Sequence, residues 1–102
     1  MRDPEIDDGF WQSHAVEWDE NKRRENLAKH GIDFLDAPEV FGDQRQRTFR
    51  SKHPPEERRY ITLGQLESRL VAVIWTRRGD RLRIISIRRA RRNERRFYEE
   101  AS

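Results

Sequence analysis

Arginine is concentrated in the last third of the chain, where ten arginines fall between Arg77 and Arg96. Only Asp80 and Glu94 oppose them in that stretch. A planar guanidinium can hold two phosphate oxygens at once, so such a group of arginines suits a polyanion, usually RNA or DNA. The alternative is a solvated charged rim, the ordinary origin of a charge run in a small protein. The density and nearly pure sign of this run favour a polyanion-binding surface.

The charge is unevenly placed along the 102 residues, whose formal net charge is +3. Residues 1–20 hold seven acids and one base, so long-range attraction to a polyanion acts through the basic C-terminal third. Hydrophobic residues make up 33% and charged residues 40%, which fits one domain with a small core. The absence of cysteine excludes disulfides and thiolate metal sites and allows a cytoplasmic setting, which we expect. No apolar run reaches the ~20 residues of a membrane span, and the acidic start does not resemble a signal peptide.

Residues 1–16 are predicted to be an N-terminal extension and residues 17–100 a single domain. Asp, Pro and Gly dominate the extension and its apolar residues follow no period, although residues 15–18 could form a short first strand. The aspartates of the extension lack the spacing of a calcium loop, so no metal site and no cofactor are predicted.

Two helices are predicted next. Asp19 is placed to cap a helix over residues 20–30, and Gly31 can end it because a left-handed conformation costs glycine nothing. The second helix is expected to begin near Asp36, because Pro38 is tolerated only in a first turn, with Phe34 packing outside it.

The following sequence favours an antiparallel meander and a last helix, hence an α+β fold. The strand-like segments, separated by short turns, are residues 45–50, 58–63, 70–76 and 82–87. The last two are apolar at nearly consecutive positions, so both faces of the sheet must be at least partly covered. Helices are expected on one face, which leaves the other face for a ligand or partner. A helix over residues 91–100 closes the chain.

Several local sequences, taken in their order along the chain, are informative together. They are EWDENK at 17–22, NLAKHGIDF at 26–34, APEVFGD at 37–43, RYITLG at 59–64 and RIISIRRA at 83–90, followed by Glu94-Arg95-Arg96 and Tyr98-Glu99. Together they resemble the BrnT toxin family of bacterial type II toxin–antitoxin systems over residues 17–100. Two departures stand out: a longer N-terminal lead-in, and Arg91 where many members carry a Ser or Thr cap, which can let the last helix fray.

The resemblance implies a RelE-like fold, an antiparallel sheet with helices packed on it. It implies a ribonuclease that stops growth by degrading RNA. It also implies a BrnA-like antitoxin with a ribbon–helix–helix DNA-binding domain, and we expect a 2:2 assembly that binds operator DNA through the antitoxin and lacks ribonuclease activity.

A metal-free ribonuclease needs a base for the 2′-hydroxyl, cations for the phosphorane and an acid for the leaving oxygen. The residues predicted to act in catalysis are Arg78, Arg88, His30 and Glu57, and those predicted to bind RNA are Arg77, Arg83, Arg89 and Tyr98. Strand alternation groups Arg88 with Ser86 and Ile84, and places Arg89 on the opposite face. The resemblance favours Arg88 over Arg89 as the leading catalytic residue.

The proton carriers stay open at this point. His30 ends the first helix, where the helix dipole favours its protonated form, so a structural role competes with proton transfer. Glu94 is expected to form ion pairs with neighbouring arginines, and Tyr98 to serve either as core or as a base-stacking ring. Two other functions remain possible: a non-catalytic nucleic-acid-binding module, and a basic face that docks an acidic protein.

Overall fold

The computed structural model describes residues 15–52 and 57–100. They form one five-stranded sheet with strand order β1-β5-β4-β3-β2, three α-helices and a short 3-10 helix at Phe34–Asp36. The strands are Ala15–Trp18 (β1), Arg47–Ser51 (β2), Arg59–Leu66 (β3), Arg69–Arg78 (β4) and Arg81–Arg89 (β5). The helices are Glu20–His30 (α1), Ala37–Phe41 (α2) and Arg92–Glu100 (α3). None of these helices is long and apolar enough to cross a membrane.

The predicted antiparallel meander is confirmed for β2 to β5, whereas β1 lies parallel to β5 at the sheet edge. Ala15 and Val16 belong to β1, and Val16 packs against the core. The sheet therefore begins within the last two residues of the segment predicted as an extension. Residues 1–14 and the loop around His53 lie outside the described residues.

The first helix has the predicted ends. The Asp19 carboxylate accepts hydrogen bonds from the backbone N–H groups of Asn21 (2.8 Å) and Lys22 (3.2 Å), which α1 itself leaves unpaired. Gly31 closes the helix at φ 70°, a left-handed conformation that favours glycine, and donates its N–H to the Leu27 carbonyl.

The second helix also starts where Pro38 requires. Pro38 lies in the first turn of α2, where the N–H that it lacks has no partner within the helix. The chain reaches that point through the 3-10 turn, whose Asp33 side chain accepts from the Leu35 N–H at 3.0 Å. Phe34 in this turn is fully buried and anchors the entry into α2.

The sheet has two covered faces, which we call the rear face and the front face. The rear face packs under α1, the 3-10 turn and α2, and its strand residues include Val71, Val73, Trp75, Leu82, Ile84 and Ile87. The front face packs under α3 through Phe97 and Tyr98, and its strand residues include Phe49, Ile61, Leu63, Leu70, Ala72 and Ile74. The expectation that helices cover one face alone is therefore wrong, because the last helix turns its aromatic side to the sheet.

A β-bulge in β5 changes which residues share a face. Trp75 pairs with Ile84 and Ile74 pairs with Ser86, so Ile85 is an extra residue on β5. Beyond the bulge the alternation is reset, and Ile87 joins Ile84 in the rear core. The predicted grouping of Arg88 with Ile84 is therefore wrong, and Arg88 lies on the front face.

Beyond the short β1, the Asn26 side chain takes the place of a strand partner for β5. Its Nδ2 donates to the carbonyls of Ile87 (2.9 Å) and Ile32 (3.0 Å), and its Oδ1 accepts from the Ile87 N–H (3.1 Å) and the Ser86 hydroxyl (3.0 Å). Asn26 is buried and fully satisfied, so it fixes the bulged segment against α1.

We expect Gly64→Ala to lower the free energy of unfolding by about 1–3 kcal/mol through overpacking. A Cβ at this position would lie 2.5 Å from the Val40 carbonyl oxygen and 2.9 Å from Val40 Cγ1, where α2 rests on β3. Gly42→Ala is the matched control, because its nearest neighbour, the Pro38 carbonyl oxygen, lies at 3.2 Å. Urea unfolding of both variants tests this expectation, and equal losses would contradict it.

Candidate nucleic-acid interface

A row of polar side chains crosses the front face at the end of the sheet away from the start of α3. Arg59 on β3 pairs with Thr76 on β4, Thr76 pairs with Arg83 on β5, and Arg83 pairs with Glu17 on β1. We call these four residues the arginine row. Neighbouring strands lie ~4.8 Å apart, so the backbones of Arg59 and Arg83 stand roughly 10 Å apart with the short Thr76 between them.

Each arginine of the row lies beside a carboxylate. Arg59 Nε donates to Glu57 Oε2 at 2.9 Å, while Arg83 Nη1 lies 3.8 Å from Glu17 Oε2. Side-chain exposures of 26–34% keep both pairs in contact with solvent. Exposed ion pairs of this kind contribute little to stability, so these arginines can exchange a carboxylate oxygen for a phosphate oxygen at low cost.

Two further cations extend the row toward the β4–β5 turn. Arg78 Nη2 lies 3.9 Å from Glu57 Oε1, and Arg81 Nη1 lies 3.5 Å from Glu17 Oε2. Arg78 and Arg81 also pair across the strands. The end of the front face is therefore a positive surface with a carboxylate on each side.

The geometry of the row suits phosphate chemistry. The Thr76 hydroxyl donates to the Arg58 carbonyl at 2.7 Å and the residue is 3% exposed, so a short, covered side chain stands between the two arginines in register with it. A phosphate above Thr76 would be reached by arginine from both sides. Such donors stabilise a phosphorane, and a carboxylate beside them can accept the proton of an attacking hydroxyl.

Arg88, the leading candidate from the sequence, lies on this face but is engaged elsewhere. Its Nη1 and Nη2 donate to Glu94 Oε1 (2.7 Å) and Oε2 (2.9 Å), and the two side chains are only 17% and 7% exposed. Along the β4 partner strand it stands four residues from Arg83, roughly 13 Å. Arg88 therefore anchors α3 to the sheet, and both Glu94 oxygens neutralise it.

Glu94 also supplies the cap that the sequence lacks at Arg91. Its Oε1 accepts the Arg91 N–H at 2.8 Å, the reciprocal half of a capping box. The expected fraying of the last helix is therefore offset by a carboxylate three residues inside it. The expectation that Glu94 pairs with a neighbouring arginine is confirmed.

Tyr98 is part of the core and not of the surface. It is 4% exposed, its hydroxyl donates to Asp43 Oδ2 at 2.6 Å, and the Arg45 guanidinium lies over its ring at 5.6 Å from the centroid. No ring face is open to a base, so the predicted RNA-binding role of Tyr98 is replaced by a structural one.

His30 lies apart from the arginine row. It lines a cavity of about 210 Å³ between α1 and the bulged part of β5, together with Lys22, Lys29 and Ser86. The structure thus places the histidine at the edge of β5 beside α1, where α1 packs on the rear side. The fold therefore does not bring His30 to the arginines that were predicted to act with it in catalysis.

Arg77 and Arg89 extend from the rear side of the sheet. Arg77 pairs with Leu82 and Arg89 with Val71, both rear-face residues, and Arg77 Nε donates to the Gly79 carbonyl at 2.8 Å. The predicted residues that the structure brings together are therefore Arg78, Arg83 and Glu57.

The sequence analysis missed Thr76 and also two charged members of the row, Arg59 and Glu17. Arg59 and Glu17 lie in two of the local sequences that carry the family resemblance. Their place beside Thr76 and Arg83, however, depends on the register of β3 and on the parallel pairing of β1. Neither feature has a local sequence signal. Among residues 15–52 and 57–100, no three histidine, aspartate or glutamate side chains converge as metal ligands would.

Two carboxyl groups near α3 are held in their charged form. Burial raises the pKa of Asp43, but hydrogen bonds from the Tyr98 hydroxyl and two backbone N–H groups lower it by more, so the net shift is downward. Burial likewise raises the pKa of Glu94, and the hydrogen bonds from Arg88 and the Arg91 N–H outweigh it. Both folded-state pKa values therefore lie below the ordinary 3.8 and 4.5.

Acid is expected to destabilise the fold through these two groups. Because their pKa values are lower in the folded state, the unfolded chain binds more protons, and their contribution is complete above about pH 4.5. It is lost as the pH falls through the folded-state values. Denaturant unfolding between pH 7 and pH 2.5 measures this loss. Glu94→Gln should be less stable at pH 7 and lose less on acidification, and an acid dependence equal to that of the wild type would contradict the assignment.

Comparison with known proteins identifies the family of this chain. A sequence profile of the family described as the ribonuclease toxin BrnT of type II toxin–antitoxin systems matches residues 18–94. The 1.1 Å crystal structure of the Brucella abortus ribonuclease toxin BrnT is similar, with a TM-score of 0.63 and 34% identity over 78% of this chain and 99% of that one. No curated protein matches the chain. The profile spans most of the described domain, including three members of the arginine row and the Arg88–Glu94 pair, and the chain therefore belongs to the BrnT family of type II toxin–antitoxin toxins.

Proposed function

We propose that this toxin is an endoribonuclease that cleaves RNA without a metal ion at the arginine row. The observation that carries the proposal is the pair of arginines, Arg59 and Arg83, which are in register with Thr76 on its two neighbouring strands and whose guanidinium groups each lie beside a carboxylate. This is the arrangement of cations and base that phosphodiester cleavage by the RNA's own 2′-hydroxyl requires.

Glu57 is the proposed base. It takes the proton of the 2′-hydroxyl while the 2′-oxygen attacks phosphorus, and the bond from phosphorus to the 5′-oxygen breaks. Arg59 and Arg83 hold the phosphorane oxygens, and the 5′-oxygen takes a proton from a water molecule at this partly exposed surface. The hydroxide left behind takes the proton that Glu57 accepted, which restores the base. The products are a 2′,3′-cyclic phosphate and a 5′-hydroxyl end. Arg78, beside Glu57, adds a third cation.

Cleavage in EDTA is the direct test. Antitoxin-free protein and naked single-stranded RNA should give 2′,3′-cyclic phosphate or 3′-phosphate ends at an unchanged rate. Loss of cleavage in EDTA that Mg²⁺ or Mn²⁺ restores would contradict the metal-free mechanism. Intact RNA that is nonetheless bound in a salt-sensitive manner would favour the second candidate, a non-catalytic nucleic-acid-binding module, which the same exposed arginines would serve.

The expected antitoxin follows from family membership and from charge. A basic RNA site is occluded most simply by an acidic or amphipathic segment of a BrnA-like partner, and opposite charge would speed that association. We place this partnership in the cytoplasm, as a 2:2 assembly whose ribbon–helix–helix part binds operator DNA, and we assign the fold to the RelE-like class. Scattering mass and a footprint of the complex test this, and an antitoxin bound away from Arg78 and Arg83 with RNA still cleaved would refute the occlusion.

A further inference from the structure

A small cavity opens between β2 and the first turns of α3, on the same face of the sheet as the arginine row. It measures about 270 Å³, near the small end of the range for organic ligands, and is lined by Phe49, Asn93, Glu94 and Phe97. The centroids of the Phe49 and Phe97 rings are 5.4 Å apart and their planes meet at 79°. The Arg47 guanidinium lies over the Phe97 ring, 3.7 Å from its centroid, so a flat molecule that enters this corner can stack only on the other face of Phe97 or on Phe49.

The cavity is one strand repeat away from the arginines. Phe49 precedes Ser51 by two residues on β2, and Ser51 is the register partner of Arg59. Two residues along a strand span ~6.8 Å and return to the same face. Phe49 also pairs with Ile61, which pairs with Ile74, so an apolar row runs beside the arginine row.

The two polar side chains at the cavity differ in whether they are free to bind a ligand. Both Glu94 oxygens are occupied by Arg88, and one of them also by the Arg91 N–H. Asn93 is exposed and its amide makes no hydrogen bond to the other residues of 15–52 and 57–100. An amide presents one donor and one acceptor side by side, the pattern that reads the edge of a nucleobase.

We infer that this cavity is a subsite for one unpaired nucleobase of the RNA whose phosphate lies on the arginine row, and that Asn93 reads the edge of that base. The inference rests on the proposed RNA cleavage. Proteins that bind single-stranded RNA combine a basic track for the backbone with aromatic rings for the bases, and here the two lie side by side. The subsite gives the toxin a preference for the base next to the cleaved bond.

The test of Asn93 is the cleavage-site profile on a randomised single-stranded RNA pool. Asn93→Asp leaves only acceptors at the cavity, so the profile should shift toward a base that offers two donors, as the Watson–Crick edge of guanine does. Asn21→Asp is the matched control, because Asn21 is exposed and is the second residue of α1 as Asn93 is of α3. An Asn93→Asp profile identical to that of Asn21→Asp would overturn the reading role.

The test of the rings uses Phe97→Leu, which keeps an apolar side chain in place but removes the π-face. Stacking on one aromatic ring corresponds to roughly a five- to 150-fold change, so kcat/KM on RNA should fall by that factor. An oligonucleotide that lacks the base at the subsite should be cleaved equally by the wild type and the variant. An equal loss on both substrates would show that Phe97 acts through the fold, and would overturn the subsite. Failure of the wild type to cleave any RNA would instead refute the proposed function.

Discussion

Arg83→Ala is expected to lower the rate of RNA cleavage by about 10²- to 10³-fold while the protein remains folded. Removing one donor that stabilises a charged transition state has an effect of this size. Arg83 is half-exposed and its ion pair with Glu17 is long, at 3.8 Å, so little stability depends on it. The same loss is expected for Arg59→Ala, because Arg59 and Arg83 are in register with the same residue, Thr76, from its two sides. Initial rates with a defined oligonucleotide, together with thermal unfolding of each variant, measure both parts of the expectation.

The controls separate a specific contact from a general loss of positive charge. Arg83→Lys keeps the charge but loses the planar guanidinium. Relative to Arg83→Ala, it should therefore restore RNA binding to a greater extent than it restores the cleavage rate. Arg50→Ala removes an exposed arginine from β2 on the rear face, where Arg50 pairs with the rear-core residue Tyr60. A loss of cleavage in Arg50→Ala as large as in Arg83→Ala would mean that overall charge, and not the arginine row, accounts for activity.

Arg88→Ala is expected to lower the free energy of unfolding by about 3 kcal/mol or more, a larger loss than for Arg59→Ala or Arg83→Ala. It leaves the Glu94 carboxylate, 7% exposed, without its bidentate partner, and an unpaired buried charge is costly. A domain of this size has a total stability of only ~5–15 kcal/mol, so the variant should melt many degrees lower. Any loss of toxicity in Arg88→Ala would then follow from unfolding.

A double-mutant cycle distinguishes this role from catalysis. Arg88→Met together with Glu94→Gln removes both charges and should be more stable than the sum of the single losses predicts. Arg24→Ala breaks an exposed pair with Glu20, at 3.9 Å, and should leave the stability nearly unchanged. An Arg88→Ala protein with unchanged stability and no cleavage would restore Arg88 as the catalytic arginine that the family resemblance favours.

Local signals in the sequence predicted the elements well. Asp19 and Gly31 mark the two ends of α1 because a cap and a left-handed terminus have specific residue preferences. Pro38 likewise marks the start of α2. The short polar turns predicted the meander of β2 to β5, since such connections allow only antiparallel neighbours.

The site was harder to predict because it depends on register. A one-residue bulge at Ile85, held by Asn26 from a distant helix, decides that Arg88 faces α3. The parallel pairing of β1 brings Glu17 to Arg83, and the four residues of β1 contain no sequence signal that predicts pairing with β5. Both features are contacts between distant segments, whereas capping and turn signals act over a few residues.

The most direct test of the arginine row is an NMR titration with single-stranded RNA whose 2′-hydroxyls at the cleaved positions are replaced by hydrogen, so that it binds and is not cut. The backbone amides of Arg59, Thr76 and Arg83 should show the largest shift changes, with smaller changes at Phe49 and Asn93. Largest changes at His30 and Ser86, in the cavity beside α1, with none along the arginine row, would contradict the proposed site.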